Sequence, residues 1–445
     1  MKKQLLILIS VFSSIVSYSQ EDAPTSYSSY FNISASRYEP GILGRDVNHG
    51  QFTLINAYSW LGNTTFDRQL IEDIFYGGKT DEELDSYFDE LKGTNRFGVG
   101  STIDYFNFGY KINKPDDKEL FTFSIGMAER AEANLVFSNE FFKLLWKGNA
   151  QFEGQTVEFP AHGAGFYTRE YTLGFAFPVY TKENLQLRFG GRYKYIQGLA
   201  AFYAEKIDGS LYTELGGKSN TLNYDYLIDI AVDEDNFNPL KPNGYGHAID
   251  IGVSSRIKKR FFANINLLDF GKVKFTKNTS VYRKSGTIKY EGMIVDNILT
   301  DDPQINDTIL DEIWSDNRFA GEDFEIQYPT RLRAHTSYKV PAEDKNDEEY
   351  FKHSIAITYI QGFVDIGNST KRAYFSTAYT FNLKNHFEVG SNVGLRGYNN
   401  LLEFGVFMAF RAGPFRMGVG SGNITPLIKT IGTGVDANFN MTFAF

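Results

Sequence analysis

The sequence predicts an all-β protein, a closed antiparallel transmembrane β-barrel of about fourteen strands with short helical inserts. Three observations predict this class: an exported N-terminus, a high aromatic content, and an alternation of apolar and polar residues that continues to the last residue. Aromatic residues make up 16 % of the 445-residue chain, which has 41 glycines and 12 prolines. Aromatic girdles at the two membrane interfaces, and glycines that ease the curvature of a tilted wall, account for both excesses.

The first residues of the chain predict export. Two lysines precede an apolar stretch from Leu5 to Val16, and two small serines follow it shortly before Gln20. This three-part pattern is typical of a secretory signal peptide, here residues 1–19, with cleavage before Gln20. An uncleaved anchor would need about twenty apolar residues, more than this stretch provides.

The C-terminal segment alternates between apolar residues and polar or small ones up to the final residue. Successive side chains of a strand point to opposite faces, so the segment is predicted as a strand with one apolar face. Its ending on phenylalanine resembles the signal that the barrel-assembly machinery of Gram-negative bacteria reads. We therefore expect that machinery to be a partner during biogenesis, and we assign the signal to Phe439, Met441, Phe443 and Phe445.

The same alternation recurs through residues 51–445, which are predicted to form the barrel. About seventeen segments show it, with bounds uncertain by several residues. In the hydrocarbon layer every backbone N–H and C=O needs an internal partner, so these strands must close into a barrel. Since single-chain bacterial barrels close with an even number of strands, fourteen is favoured and sixteen is the alternative.

Near residues 67–92 and 138–147 the apolar residues recur at helical spacing, which predicts short helical inserts between the strands. An irregular acidic block near 293–324 is predicted as a long loop. The insert near 138–147 has almost no polar face, so it either plugs the lumen or lies at the membrane interface. The side chains that would form this plug helix are Phe141, Phe142, Leu145 and Trp146. The N-terminal segment, residues 20–50, is a second candidate plug.

Charged residues occur inside several predicted strands. A charge that faced lipid at the membrane midplane would cost about 2–4 kcal/mol, so we expect these side chains to point into the lumen. Two interpretations stay open: internal salt bridges between neighbours of opposite sign, such as Glu129 and Arg130, which is favoured, or a charged path for a polar solute. The candidate lumen charges are Glu129, Arg130, Glu132, Arg169, Glu170 and Arg192.

Several classes of function are disfavoured by composition and motifs. The absence of cysteine excludes disulfides, thiolate metal sites and a lipid-modified N-terminal cysteine. The net charge of −9 comes without a basic block, which argues against a nucleic-acid partner. The six histidines are scattered, and no nucleophile elbow, phosphate loop or dinucleotide fingerprint occurs. We therefore predict no catalytic residues, no cofactor and no metal site, and a protein that is not an enzyme.

Five segments carry a resemblance to a known family: Ile125–Ala133, Trp146–Thr156, Tyr167–Gly174, Gly190–Ala200 and Asn266–Gly271. In order and spacing they resemble a Bacteroidota outer-membrane barrel family labelled as a domain of unknown function (DUF5723), distantly similar to fatty-acid-channel and type IX secretion shuttle barrels. The resemblance implies a monomeric-type barrel in the cell outer membrane, surrounded by membrane lipid and lipopolysaccharide. It supplies no catalytic or ligand residues.

One segment departs from the broader fatty-acid-channel pattern. Residues 37–46 read RYEPGILGRD where those relatives carry a hatch rich in Asn-Pro-Ala. The departure argues against a fatty-acid substrate, and it leaves an N-terminal plug open.

Three functional hypotheses follow. The leading one is a plugged or narrow outer-membrane channel for a small or hydrophobic solute. The alternative is a non-enzymatic scaffold or docking barrel for an envelope protein or secretion machinery, which the acidic blocks Asp67–Lys92 and Asp301–Asp316 favour. A soluble all-β adhesin is a third, although its many aromatics would then have to form a core.

Overall fold

A computed structural model describes residues 24–45, 49–64, 93–116, 118–233, 237–291, 317–343, 349–367, 369–396, 402–428 and 434–445, with the single positions 83, 86 and 313. The predicted signal peptide, nearly all of the insert near 67–92 and most of the block near 293–324 lie outside these residues.

Within this part of the chain, fourteen strands form one closed antiparallel wall. Neighbours in the wall pair in chain order, and the last strand pairs with the first, so that Phe52 lies opposite Phe443 and Trp60 opposite Asp436. The predicted fold class is therefore confirmed, with fourteen rather than sixteen strands. The wall strands are β1 (Gly50–Asn63), β2 (Thr94–Asn113), β3 (Glu119–Ser138), β5 (Ala161–Lys182), β6 (Leu185–Thr213), β8 (Gly244–Ile257), β9 (Phe261–Phe275), β13 (Arg331–Glu343), β14 (Glu349–Gly362), β15 (Tyr374–Leu383), β16 (Phe387–Arg396), β17 (Leu402–Ala412), β18 (Phe415–Ser421) and β19 (Gly434–Ala444).

The two ends of the barrel differ. Six connections of two to five residues join wall strands at the end where β1 begins and β19 ends, and the connections at the opposite end have five residues or more. We call these the turn end and the loop end.

Five shorter or peripheral strands are not part of the wall: β4 (Thr156–Glu158), β7 (Ser219–Ala231), β10 (Thr279–Glu291), β11 (Arg318–Ala320) and β12 (Phe324–Gln327). The 29-residue strand β6 runs beyond the wall at the loop end, where it pairs with β4 and β7, and β10 and β11 continue that sheet. One of the alternating segments predicted from sequence, residues 221–232, thus belongs to this extension as β7. Alternation shows that a strand has two different faces, but it does not show which strands it pairs with.

The wall is polar inside and apolar outside. On β8, Ile249, Ile251 and Val253 are 43–50 % exposed, whereas Asp250 and Ser254, on the opposite face of the strand, are fully buried. A soluble barrel would place the apolar set inside. An apolar outer face on a closed wall is the arrangement that a hydrocarbon environment requires.

Helices are short. They comprise 3-10 turns at Pro24–Tyr27, Pro40–Ile42 and Ala150–Phe152, and the α-helices α1 (Asn32–Ala35), α2 (Asn139–Lys147) and α3 (Thr425–Ile428). In the described residues we find no helix that is long and apolar enough to cross a membrane.

Candidate functional site: the plugged lumen

Residues 24–45 lie inside the barrel, and we call them the plug. They form two 3-10 turns around the single helical turn of α1, and Pro40 begins the second 3-10 turn, where its missing N–H costs nothing. The apolar side chains Phe31, Ile33 and Leu43 are no more than 3 % exposed. The plug therefore fills the lumen as a packed element.

Glycines of the wall let the plug approach closely. A Cβ atom at Gly109 or at Gly418 would lie 2.6 Å from the Ile33 or the Phe31 side chain, and one at Gly190 would overlap the Pro40 carbonyl. Real Cβ atoms are not found this close to other heavy atoms. At these positions the wall has no room for a side chain larger than glycine.

An ion-pair network joins the plug to the middle of the wall. The two terminal nitrogens of Arg37 each lie 2.8 Å from a wall carboxylate, one on Asp104 and one on Glu170. The second oxygen of Glu170 accepts a hydrogen bond from the Tyr328 hydroxyl at 2.6 Å, and that of Asp104 accepts one from Asn56 at 2.8 Å. Both carboxylates are thus paired and hydrogen-bonded, which offsets the cost of burying them.

The network continues towards the loop end of the wall. Arg130 bonds Glu132 at 2.8 Å and Asp269 at 3.0 Å, and Lys194 pairs with Asp269 and, at 2.9 Å, with Asp250. Asp269 has a φ of 57°, a left-handed conformation that is uncommon for a residue with a side chain. A bulge between β8 and β9 accompanies it, and the Asp269 N–H donates to Asp250 at 2.7 Å.

A second ionic contact holds the plug nearer the turn end. Glu39 is bonded to Arg333 and to Asn264, and His335 lies 3.7 Å from the same carboxylate. Burial by itself would raise the pKa of Glu39, but the nearby charges of His335, Arg333 and Arg45 outweigh it and lower that pKa below its usual value. Glu39 is therefore ionised at neutral pH.

An inward-folded connection narrows the lumen at the loop end. The segment that follows β14 contacts the opposite side of the wall, where Arg96 bonds Asp365 at 3.3 Å and the carbonyl of Ser369 at 3.0 Å. Asn134 donates to the Asp365 carbonyl and accepts from the Gly367 N–H, both at 3.1 Å. The lumen is thus filled by the plug and is crossed by this segment above it.

Four of the six candidate lumen charges lie inside the barrel: Arg130, Glu132, Glu170 and Arg192. Arg192 reaches the plug, donating to the Ser36 hydroxyl at 2.9 Å. Because adjacent residues of a strand point to opposite faces, Arg130 pairs with Glu132 inside the barrel and Glu129 pairs with Arg169 outside.

The structure places the other two, Glu129 and Arg169, on the outer face, contrary to the expectation from sequence. They lie opposite each other on β3 and β5 and form an ion pair, to which the hydroxyls of Tyr105 and Tyr167 add hydrogen bonds on Glu129. The cost considered in the sequence analysis applies to a single charge that faces lipid. Because Glu129 and Arg169 pair with each other, part of that cost is offset. Tyrosines beside the pair are typical of a membrane interface.

The helix proposed as a plug from the sequence lies at the loop end. It is α2, directly after β3, and its Phe141 ring contacts Phe137 of β3 and Phe159, with centroid distances of 6.3 and 6.4 Å. Phe141 is exposed, and the side chains of Phe142, Leu145 and Trp146 are outside what the structure describes. The described lumen is filled by residues 24–45.

The residues of the proposed assembly signal lie on β19. Phe445 forms backbone hydrogen bonds with Gly50 in both directions, at 2.8 and 3.0 Å, which continues the β1–β19 closure to the end of the chain. The Phe443 ring packs on Phe415 at 5.4 Å, and the Phe445 ring on Phe108 at 6.4 Å.

Sequence reasoning missed Asp104, Asp250, Asp269 and Arg333, and it missed the roles of Arg37 and Glu39. A signal was present for Asp250, because it stands between two isoleucines. A lone charge between outward apolar neighbours in a wall strand must face the lumen. Among the described residues, no group of three or more histidine, aspartate or glutamate side chains is arranged to hold a metal ion.

A closed wall that is polar inside and apolar outside, with its own N-terminal segment in the lumen, defines a plugged transmembrane β-barrel. The chain belongs to the family described as a family of unknown function, DUF5723, whose model matches residues 53–422. The resemblance to this family inferred from sequence is confirmed. No curated protein matches the chain significantly in sequence.

Several solved barrels are similar in structure. The toluene transporter TbuX of Ralstonia pickettii is 9 % identical, with 94 % of each chain covered and a TM-score of 0.43. A FadL homologue of Pseudomonas aeruginosa is 11 % identical over 97 % of this chain and 98 % of that one, with a TM-score of 0.42. The toluene transporter TodX of Pseudomonas putida is 8 % identical over 97 % and 95 %, with a TM-score of 0.38. Similarity this distant says nothing about what the present chain binds.

Proposed function

We propose that this protein is a channel of the cell outer membrane that its N-terminal plug keeps closed, and that movement of the plug opens a path for a small polar solute. The observation that carries the proposal is that Arg37 and Glu39 of the plug form ion pairs with the wall, beside the apolar contacts of its other side chains. Ion pairs of this kind contribute little net stability compared with the hydration that their groups regain when separated. When the plug moves, the hydration of these charged groups offsets part of the cost of exposing its apolar side chains.

The chemistry of the lumen narrows the class of solute. With the plug displaced, the inner face of the wall presents carboxylates, guanidinium groups, amides and hydroxyls, among them Asp104, Asn107, Arg130, Glu170 and Arg192. An axial path lined in this way favours small hydrophilic solutes over hydrophobic ones. The outer face, by contrast, carries apolar and tyrosine side chains that suit contact with membrane lipid and lipopolysaccharide.

Planar-bilayer conductance tests the proposal. The intact protein is expected to show rare or no conductance steps, and a variant lacking residues 24–45 to show frequent ones. Because the segment around Asp365 also narrows the lumen, replacing residues 365–369 with glycine and serine in the plug-less variant should enlarge the steps. A variant lacking residues 139–147 is the control and should behave like the intact protein.

The proposal would be contradicted if no variant with a folded barrel showed conductance steps. Folding is checked by the change in electrophoretic mobility that folded barrels show when the sample is boiled. Steps that appear only on removal of residues 139–147 would make α2 the closing element and contradict the assignment to residues 24–45.

A docking barrel is the second candidate, and one observation favours it. The sheet formed by β4, the end of β6, β7, β10 and β11 extends beyond the wall at the loop end, where channel closure does not need it. Cross-linking in cells should then recover a stoichiometric envelope partner, and recovery should be lost when β7 and β10 are replaced by a short turn.

A further inference from the structure

An apolar groove of about 920 Å³ crosses the outer face of the wall in its loop-end half. Its described lining residues belong mainly to β19, β1, β2, β3, β5 and β6, so the groove spans the closure of the barrel and reaches the strand that extends beyond the wall. A space of this size is at the upper end of the range of about 300–1,000 Å³ that is usual for ligand sites. The described residues of the plug do not line it.

The floor of the groove is a row of small side chains. In the register of the wall they lie opposite one another from strand to strand: Ala437, Ser59, Ser101 and Ala131. The neighbours of Ala131 along β3, Arg130 and Glu132, are buried inside the barrel, so Ala131 points outward. On β2 the outward residues on either side of the row are the larger Val99 and Ile103. The row is therefore a depression between larger side chains.

Two hydroxyl groups in this floor are paired with each other. The side-chain oxygens of Ser59 and Ser101 lie 2.8 Å apart on the outer face, within hydrogen-bond distance. A hydroxyl placed against hydrocarbon without a partner is costly, and mutual pairing removes much of that cost. The floor can therefore accept an apolar ligand although it contains two serines.

The groove runs obliquely along the barrel. The register of the row continues through Tyr167, which lies opposite Ala131 on one side and Ala200 on the other. Ala437 stands seven positions from the turn end of β19, whereas Ala200 stands fifteen positions from the turn end of β6. Strands tilt by about 35–45° and rise about 3.3 Å per residue, so this difference corresponds to about 20 Å along the barrel axis. The groove thus descends from the loop end into the wall.

The two ends of the groove have different surroundings. Beside Tyr167, on its turn side, lies the ion pair of Glu129 and Arg169 that marks the membrane interface. Near Ala437, Val419 of the neighbouring strand β18 is 47 % exposed on the lipid-facing side. The upper end is therefore at the level of lipid headgroups, and the lower end is continuous with the lipid-facing surface of the wall.

Length and position indicate the class of ligand. Between β19 and β6 the groove crosses five strand spacings, or about 24 Å at about 4.8 Å each. One leaflet accounts for about half of the hydrocarbon thickness of about 30 Å, so an extended acyl chain fills most of this length and a compact solute only a small part. The loop end of such barrels faces the cell exterior, where the outer leaflet consists of lipopolysaccharide.

We propose that this groove binds one acyl chain of a lipopolysaccharide molecule, with the chain along the row of small residues and the sugar headgroup at the β6 end. The inference goes beyond the proposed function, because it rests on the position of the wall in the outer membrane and holds for a channel and for a docking barrel alike. A chain bound across the β1–β19 pair stabilises the closed wall, since a ligand of the folded state stabilises that state.

Native mass spectrometry of the protein purified from its own outer membrane in mild detergent tests the proposal. The expected result is one retained lipopolysaccharide molecule per barrel. Ala131→Phe and Ala437→Phe place a ring in the upper and the lower part of the groove, and each should reduce the retained fraction about tenfold or more. Ala334→Phe is the matched control, because Ala334 is an alanine of the wall opposite the exposed Ile265 and does not line the groove.

Protection of a single thiol gives a second measurement, which does not require the phenylalanine variants to fold. The chain has no cysteine, and Ala131→Cys changes the size of the side chain little. Purified lipopolysaccharide added to the delipidated variant at about ten times its Kd should slow alkylation of this thiol by a small maleimide about tenfold. The same addition should leave alkylation of Ala334→Cys unchanged.

Retention of a phospholipid in place of lipopolysaccharide would overturn the assignment of the ligand. Absence of any retained lipid, equal loss in the three phenylalanine variants, or equal thiol protection at positions 131 and 334 would overturn the groove as a lipid site. None of these results changes the conductance expected of the variant without the plug, so failure of this proposal is distinguishable from failure of the proposed function.

Discussion

At the scale of single residues, Arg37 is the side chain on which the attachment of the plug depends most. It is buried, and it pairs with two wall carboxylates. Arg37→Ala leaves Asp104 and Glu170 without that partner, and breaking a buried pair from one side costs about 3–5 kcal/mol. We expect hydrogen exchange of the plug amides to accelerate while the wall strands stay protected. Lys118→Ala, in an exposed pair of the β2–β3 turn, is the control and should leave exchange unchanged; equal protection of the plug in both variants would contradict the assignment.

Because the Glu39 carboxylate is ionised in the plugged state, we expect closure by the plug to depend on pH. The pKa of Glu39 is lowered in the plugged state. The contribution of Glu39 to the stability of the plugged state is therefore present above the usual pKa of about 4.3, and it is lost as the pH falls through the lowered value. Glu39→Gln should therefore raise the open probability in planar bilayers at pH 7. The difference from the native protein should shrink as the pH falls below about 4. A difference that stays constant with pH would show that Glu39 does not act through its charge.

The sequence indicated that charges in the wall strands point inward, and it could not indicate their partners. Arg37 and Asp104 are 67 positions apart, and no spacing rule connects a plug residue to a wall residue at that distance. For Glu129 the sequence argument was wrong, because it treated 129 and 130 as neighbours in the lumen although strand geometry sends them to opposite faces. Applying the alternation residue by residue would have placed Glu129 outside.

At the scale of elements, close packing between plug and wall gives a test that leaves every charge in place. A Cβ at Gly190 would overlap the Pro40 carbonyl, whereas Gly93 has nothing within 4 Å of that position. Gly190→Ala should displace the plug, and Gly93→Ala should not. Overpacking costs about 1–3 kcal/mol, so trypsin should cleave after Arg37 and Arg45 about five- to a hundredfold faster in the first variant.

The control for this test is that the barrel wall folds in both variants. Both variants should keep the heat-dependent mobility of a folded barrel, because the substituted positions lie within or beside paired strands whose ladders are unchanged. Equal cleavage of the two folded variants would mean that the plug does not pack on Gly190 as described.

A strand or a turn could be predicted from the sequence only where its own residues determine its conformation. The strict alternation in β15, β16 and β19 identified those strands with nearly correct bounds, because each has one lipid-facing and one lumen-facing side. The same alternation in β7 could not show that this strand leaves the wall, since pairing partners are set by register between distant segments. The plug offered no periodic signal, because its three short turns are held by contacts with the wall and not by their own propensity.

At the scale of the whole molecule, closure of the barrel depends on the β1–β19 pair, and the C-terminal phenylalanine has two separable roles there. Phe445 completes the hydrogen bonding with Gly50, which any residue's backbone could do, and its ring lies on the outer face against Phe108. Phe445→Ala keeps the backbone bonds and loses one exposed ring. We therefore expect the purified variant to refold in detergent with nearly native yield.

In cells the same substitution should reduce insertion several-fold, if the terminal ring is read by the assembly machinery as predicted. Phe410→Ala removes an aromatic ring that is exposed to a similar degree and lies near the same end of the barrel, on β17, but not at the C-terminus. Insertion is measured as the folded fraction in outer-membrane preparations at matched expression. Because both rings contribute alike to the interfacial girdle, an equal reduction in the two variants would assign the effect to membrane anchoring, whereas a reduction confined to Phe445→Ala assigns it to recognition during assembly.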